Sequence, residues 1–296
     1  MTRPPDILTI DVEEWFHGHN YLEHAPPSTW DDLELRVEAN TDHVLRLLDD
    51  HGVSATFFIL GWTAARYPDL VRRIAAAGHE IGCHSFAHPV VFEMTPEAFA
   101  ADVDRCLEAL DACGVRPRGY RAPSFTITPP VHHYLHILRE RGFGYDCSIF
   151  PVRHPRYGQP DSPRRPFILR PDHGGEGDAP FVVVPMPTWR VLGANIPFSG
   201  GGYMRLLPPW AYRLIRAGAA RQGQPCVIYL HPWEFDDFRP ATRQSRLLRW
   251  RSQGGQDTVT AKLADLLGRG RFRTLGQYVD DLLAGAPLPH RALPLS

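Results

Sequence analysis

No run of about twenty apolar residues occurs in the chain, so no segment reads as a membrane-spanning helix. Cysteine is scarce, with five in 296 residues. They stand at irregular intervals (Cys83, Cys106, Cys113, Cys147, Cys226), which argues against a disulfide framework and reads as reduced thiols. An excess of either charge is also missing. The formal net charge is −1, which speaks against a basic nucleic-acid surface or an acidic tail. There is no internal repeat and no low-complexity tract. The glycine-rich stretch Gly200-Gly201-Gly202 lacks the lysine and the spacing of a phosphate-cradling loop, and reads as a turn or as a flexible wall beside a substrate. Residues 1–6 lack the apolar core of a signal peptide, so the expected location is the cytoplasm.

Proline, by contrast, is abundant at 29 residues, which suits long structured loops. Between these loops the chain alternates. Ile7-Leu8-Thr9-Ile10 reads as a buried strand, 40–50 as a helix, 55–60 as a strand, 68–77 as a helix and 80–82 as a strand. Further on, Thr95 and Pro96 open a helix as N-cap and first residue. Residues 208–223 read as a helix, Cys226-Val227-Ile228-Tyr229-Leu230 as a strand, and 258–268 and 275–283 as helices. This rhythm predicts an α/β fold with a parallel sheet and crossover helices. Between 150 and 199 the periodicity fades, and only the run from Phe181 to Pro185 reads as a strand.

Chemistry-bearing residues gather where the strands end, the usual place for sites in parallel α/β proteins. Asp11 and Glu13 follow the first strand, and alternation puts them on one face. His84 and His88 follow the third strand. On a helical turn, that spacing would bring two neutral imidazoles to one side as metal ligands. With fifteen histidines in the chain, the pair alone decides nothing. A rival pair, His133 and His136 beside His132, falls on a predicted surface helix over 129–141. Arg121, Asp146 and His231 also stand at strand ends. One carboxylate with two imidazoles makes a zinc-type ligand set with open positions, and leaves the other carboxylate free as a base.

The order of these motifs resembles the polysaccharide deacetylase family with the NodB homology domain, whose members remove N-acetyl groups from amino sugars. Thr9-Ile10-Asp11-Val12-Glu13 stands for the family's T-F-D-D stretch, and His84-Ser85-Phe86-Ala87-His88 matches H-[ST]-x-x-H. Arg121-Ala122-Pro123 matches R-x-P, and Leu230-His231 matches the late L-H motif. The flanking sequences are similar to a subgroup associated with bacterial exopolysaccharide loci. The resemblance implies a distorted (β/α)7-type barrel of about seven strands. It implies Asp11 as general base, His231 as general acid, Arg121 orienting Asp11, and Asp146 orienting a catalytic partner. His84 and His88 would bind a divalent metal ion, Zn2+ above others. The family's metal-binding aspartate falls at Val12, and the resemblance to members with the acidic ligand one residue further on implies Glu13, on the face of Asp11, in that role. Trp15, Pro123, Tyr203 and Trp233 are the expected substrate-facing residues.

The expected partner is an N-acetylated glycan of a bacterial polysaccharide or its precursor, with no nucleic acid and no transmembrane segment. A lipid-linked precursor would put the enzyme at the inner membrane face. The whole of 1–296 reads as one catalytic domain, its core over about 6–235, with a helical extension over 236–296 packed on it. A hydrolase of small cyclic amides on the same fold, and a glycan-binding protein without turnover, are the alternatives.

Overall fold

The computed structural model describes residues 6–18, 21, 25–170, 179–238, 250 and 253–294. Residues 1–5 and most of 239–252, which carry parts of the expected N-terminus and C-terminal extension, lie outside the described residues. Twelve strands are present among those described: β1 (Asp6–Val12), β2 (Thr56–Ile59), β3 (Glu80–Cys83), β4 (Gly119–Tyr120), β5 (Tyr145–Asp146), β6 (Phe167–Leu169), β7 (Val182–Val183), β8 (Thr188–Val191), β9 (Ala194–Pro197), β10 (Cys226–Leu230), β11 (Phe272–Arg273) and β12 (His290–Arg291).

One sheet runs in the order β10-β1-β2-β3-β4-β5-β7-β6-β12. The seven strands from β10 to β7 are all mutually parallel. The fold is therefore α/β with a parallel sheet and crossover helices, and the parallel run has the expected length. Among the described residues no ladder closes it into a full ring. Beyond β10 there is only an isolated bridge from Gly200 to Tyr229. Strand β6 joins β7 antiparallel, and β12 lies beside β6. Strand β11, from the tail, pairs with β1. No helix among the described residues is long and apolar enough to cross a membrane.

Alternation along β1 sets up everything that follows. Leu8, Ile10 and Val12 are fully buried in the larger core, under the crossover helices. Ile7 faces the other way, into a second core with Phe58, Val182, Val227, Leu275 and Val279. Since side chains alternate with period two, Thr9 and Asp11 share the face of Ile7. That inner face is apolar at its base, closed by the helix Leu275–Ala284, and polar toward the C-terminal ends of the strands.

The helices follow from local signals. Thr95 caps the helix Pro96–Asp111 by accepting the N–H of Ala98 at 3.2 Å. The helix Pro68–Ala76 starts on a proline and stops before Gly78, whose φ of 79° is left-handed and easy only for glycine. The expected helix over 129–141 is in fact a 3-10 turn followed by Tyr134–Glu140. It is not the surface feature the sequence suggests. His132 is buried, and its Nε2 lies 2.6 Å from Gln159 Oε1, while His133 is exposed.

Candidate metal centre and proton-transfer site

Strand β1 ends at Val12, and its last face-inward residue, Asp11, is buried. Val12 packs into the core under the helices and so offers nothing to the site. The next residue, Glu13, turns its buried carboxylate inward. Glu14 points elsewhere. Its Oε1 accepts the N–H groups of Arg36 at 2.7 Å and Val37 at 2.8 Å, satisfying donors at the start of the helix Val37–Asp50. Burial is the main reason the Glu14 carboxyl is raised to about 7, against the lowering effect of those two N–H groups.

The two histidines reach the same spot by a route the sequence does not announce. His84 through His88 form no helix. Ser85 and His88 instead have φ of 64° and 56°. Left-handed non-glycine residues cost energy, and here the surroundings impose them. The N–H groups of Gly61 and Trp62 bond the carbonyls of Ser85 and Phe86 at 2.9 Å each. Asp102 Oδ2 accepts the N–H of Phe86 at 2.9 Å, and the Ser85 hydroxyl meets that of Tyr120 at 2.6 Å.

Nδ1 of His84 lies 2.7 Å from the carbonyl of Arg121. A carbonyl only accepts, so Nδ1 carries the hydrogen and Nε2 presents a lone pair. That Nε2 is 4.0 Å from Glu13 Oε2, and Nε2 of His88 is 2.9 Å from the same oxygen. Donor atoms of Glu13, His84 and His88 all lie within 4.8 Å of one another. Glu13 Oε2 is buried and accepts no well-directed hydrogen bond. Burial would raise the Glu13 carboxyl, but the imidazoles of His88, His231 and His84 hold it well below the usual carboxylate range. Burial likewise holds His84 down to about 4, so its ring is neutral at physiological pH. A buried anionic oxygen with the Nε2 atoms of two imidazoles 2.9 and 4.0 Å away fits a divalent cation.

Beside this cluster sits the second carboxylate. Asp11 Oδ1 accepts from Arg121 Nη1 at 2.7 Å, and the same nitrogen donates to Thr9 Oγ1 at 2.8 Å. Arg121 is wholly buried, with its guanidinium 4.3 Å from the Phe58 ring centroid. Removing either member of such a pair leaves an uncompensated charge, at a cost of roughly 3–5 kcal/mol. His231 completes the group. Its Nε2 is 4.0 Å from Asp11 Oδ2 and 3.7 Å from Glu13 Oε1. Burial opposes protonation of this ring, but Glu13, Glu234 and Asp11 raise it to about 9, so it is a cation at neutral pH.

Asp146 does not touch His231. Both its oxygens serve Ser148, accepting the backbone N–H at 2.9 Å and the hydroxyl at 2.5 Å, and Ser148 Oγ in turn accepts the N–H of Ala122. Through Ser148, Asp146 thus braces the backbone beside Arg121, the residue that bonds Asp11. The partner of His231 is Glu234, whose Oε1 is 2.9 Å from Nδ1. Glu234 Oε2 is held by Arg205 Nε at 2.7 Å. Neither residue stands out in the sequence; the i,i+3 spacing in His231-Pro232-Trp233-Glu234 is the only hint. His17 was equally silent. It is fully buried, takes the N–H of Glu14 on Nδ1 at 2.9 Å, and stacks near His88 at 6.5 Å between ring centroids.

Of the expected substrate-facing residues, Trp233 stands closest to the site. It stacks on His231 at 5.0 Å, and its indole N–H points at Glu13 Oε1 at 3.3 Å. Trp15 packs edge-on against Phe16 and Tyr21, with its N–H on the Glu34 carbonyl. Pro123 is buried at the turn where Ser124 and Phe125 are both left-handed. Tyr203 is half-buried on the helix Gly201–Leu206. The first glycine of this helix is there for close packing, since a Cβ at Gly201 would overlap the Glu234 carboxylate.

Fold and site together define a parallel α/β protein with a buried carboxylate–diimidazole cluster, an adjoining Asp11–Arg121 ion pair and His231 beside both. A family model described as polysaccharide deacetylase matches residues 27–141, and a model of a domain of unknown function, DUF3473, matches 147–280. By the first match, residues 27–141 carry a polysaccharide deacetylase domain. It is 39% identical over 95 residues to a peptidoglycan-N-acetylglucosamine deacetylase of Bacillus cereus, covering 32% of each chain. It is 40% identical over 74 residues to a chitooligosaccharide deacetylase of Rhizobium leguminosarum bv. trifolii, covering 25% of this chain and 34% of that protein. The matched part thus spans about a third of each of these relatives. A polysaccharide deacetylase structure from Mycobacterium smegmatis superposes with a TM-score of 0.63 at 22% identity, covering 98% of this chain and 94% of the other. The allantoinase Puue superposes at 0.60 with 18% identity, covering 95% and 90%. At such identities the likeness is one of fold.

Proposed function

We propose that this protein hydrolyses the N-acetyl groups of amino sugars in a bacterial polysaccharide or its precursor. The observation that carries the reading is the meeting of Asp11, His231 and the Glu13–His84–His88 cluster at one end of the sheet, with His231 Nε2 4.0 Å from Asp11 and 3.7 Å from Glu13. Glu13, His84 and His88 would hold a divalent cation, and zinc suits a carboxylate with two imidazoles. When bound, the ion supplies Lewis acidity toward the acetyl carbonyl and toward water. Asp11 accepts the proton of the attacking water, and Arg121 fixes its orientation. His231 gives its Nε2 proton to the departing sugar nitrogen, so that acetate and a free amine leave. Glu234, held by Arg205, keeps the His231 ring turned and charged. Trp233 walls the site on the side of His231, and Trp15, Pro123 and Tyr203 are the further surfaces proposed to face the sugar.

We take the chain as one catalytic unit. The pairing of β11 with β1 and of β12 with β6 supports that reading, because the tail contributes strands to the sheet that carries the site. Acetate release from an N-acetylglucosamine oligomer, compared with an Asp11→Asn variant, tests the proposal. Release by the wild type and none by the variant is expected. Turnover of a small cyclic amide instead would move the substrate class. Sugar binding without release, with metal present, would make the protein a binder.

A further inference from the structure

Away from the site, a cavity of about 490 Å3 is lined by Arg164, Arg165, Arg190 and Arg291, with Asp161 the one acidic lining residue. Three separate stretches deliver these arginines: the segment before β6, strand β8 and strand β12. Gln222 gathers three of them. Its Oε1 accepts from Arg164 Nη2 and from the Arg190 backbone N–H, both at 3.0 Å. Its carbonyl accepts from Arg165 Nη2 at 3.2 Å. Arg164 also donates to the hydroxyl and the carbonyl of Thr188, at 2.9 and 2.8 Å. All these acceptors are neutral. They fix the Arg164 and Arg165 guanidiniums and the Arg190 backbone in place without cancelling charge.

Elsewhere Arg72, Arg73, Arg118, Arg141 and Arg273 each pair with a carboxylate. Among the described residues, none of the four cavity arginines does. Burial first, and then the neighbouring charges of Arg190 and Arg165, push the Arg164 guanidinium below its ordinary value. Four like charges beside a single carboxylate, Asp161, repel one another, and part of that cost is recovered when an anion enters. A guanidinium fork matches the oxygens of phosphate. Four converging on one cavity suit a single multiply charged group better than carboxylates spaced a sugar apart along an acidic polymer.

We propose that this cavity binds the phosphate or diphosphate group of a ligand, acting as an anchor separate from the Glu13–His84–His88 cluster. The inference stands independently of the reaction carried out at that cluster. Two sources share the chemistry: a soluble phosphorylated compound and a lipid headgroup.

Calorimetric titration of the full protein with inorganic pyrophosphate tests it, comparing the wild type with an Arg190→Ala/Arg291→Ala double variant. Both side chains are exposed, so the fold is expected to survive, and an unchanged melting temperature checks this. Loss of each arginine should weaken binding about tenfold. An Arg190→Lys/Arg291→Lys variant should recover part of the affinity. Failure of the wild type to bind pyrophosphate overturns the proposal, as does binding that the alanine variant keeps within about twofold, because the anion would then sit elsewhere. Sedimentation with phosphatidylcholine vesicles, with and without phosphatidic acid, separates the sources. Arginine-dependent capture by the anionic vesicles identifies a headgroup, and pyrophosphate binding without capture identifies a soluble ligand.

Discussion

His231 and Glu234 face each other across 2.9 Å, Nδ1 to Oε1, and Arg205 holds the far oxygen of the carboxylate at 2.7 Å. A carboxylate at Nδ1 fixes which nitrogen points into the site and stabilises the ring as a cation. Glu234→Gln should therefore lower kcat for deacetylation by about 10–100-fold and leave KM within about twofold, since positioned acid catalysis is worth about 10²–10⁴. The same change removes one of the charges that raise His231. The alkaline limb of the kcat profile should then move to lower pH. Steady-state kinetics over pH 6–10 would check both effects, and an unmoved limb would remove Glu234 from this role.

A small residue at 201 is needed because Glu234 occupies the space a side chain would fill. Gly201→Ala should push the carboxylate off His231 while leaving the helix intact. Activity is expected to fall nearly as far as in Glu234→Gln. Because both changes act through one contact, the double variant should lose little more than either single one. Additive losses in a double-mutant cycle would contradict this.

Asp146 gives a pH effect on stability rather than on rate. Burial raises its carboxyl to about 7, against the lowering effect of the Ser148 bonds. A group whose folded value exceeds its unfolded one contributes stability that is fully present below the unfolded value and is lost as pH rises through the folded one. Between about pH 4 and pH 7 the wild type should lose stability on the order of 3–4 kcal/mol from this residue. Asp146→Asn should flatten that slope in urea titrations at pH 5 and pH 8. An equal slope in both proteins would show that Asp146 is charged in the fold.

Much of this arrangement is legible in the sequence, and the limits have physical causes. Alternation in β1 places Asp11 inward and Val12 in the core, which leaves Glu13 as the next carboxylate able to reach His84 and His88. Motif order brings Arg121 to Asp11. The shape of the 84–88 turn is not legible, because left-handed Ser85 and His88 are imposed by Gly61, Trp62 and Asp102 from distant segments. Asp146 stands at the expected strand end but serves Ser148, since a strand position does not say which neighbour a carboxylate meets. In the stretch after Phe150 only β7 shows, inside the expected run 181–185, because β6, β8 and β9, at three, four and four residues, are too short to show a period.

The central claim is that Glu13 holds the ion and Asp11 moves the proton. Zinc content and acetate release, measured together on the wild type, Glu13→Gln and Asp11→Asn, test it most directly. One zinc per chain is expected in the wild type, loss of zinc and activity in Glu13→Gln, and retained zinc without activity in Asp11→Asn. An Asp11→Asn protein that loses zinc while Glu13→Gln keeps it would contradict the account.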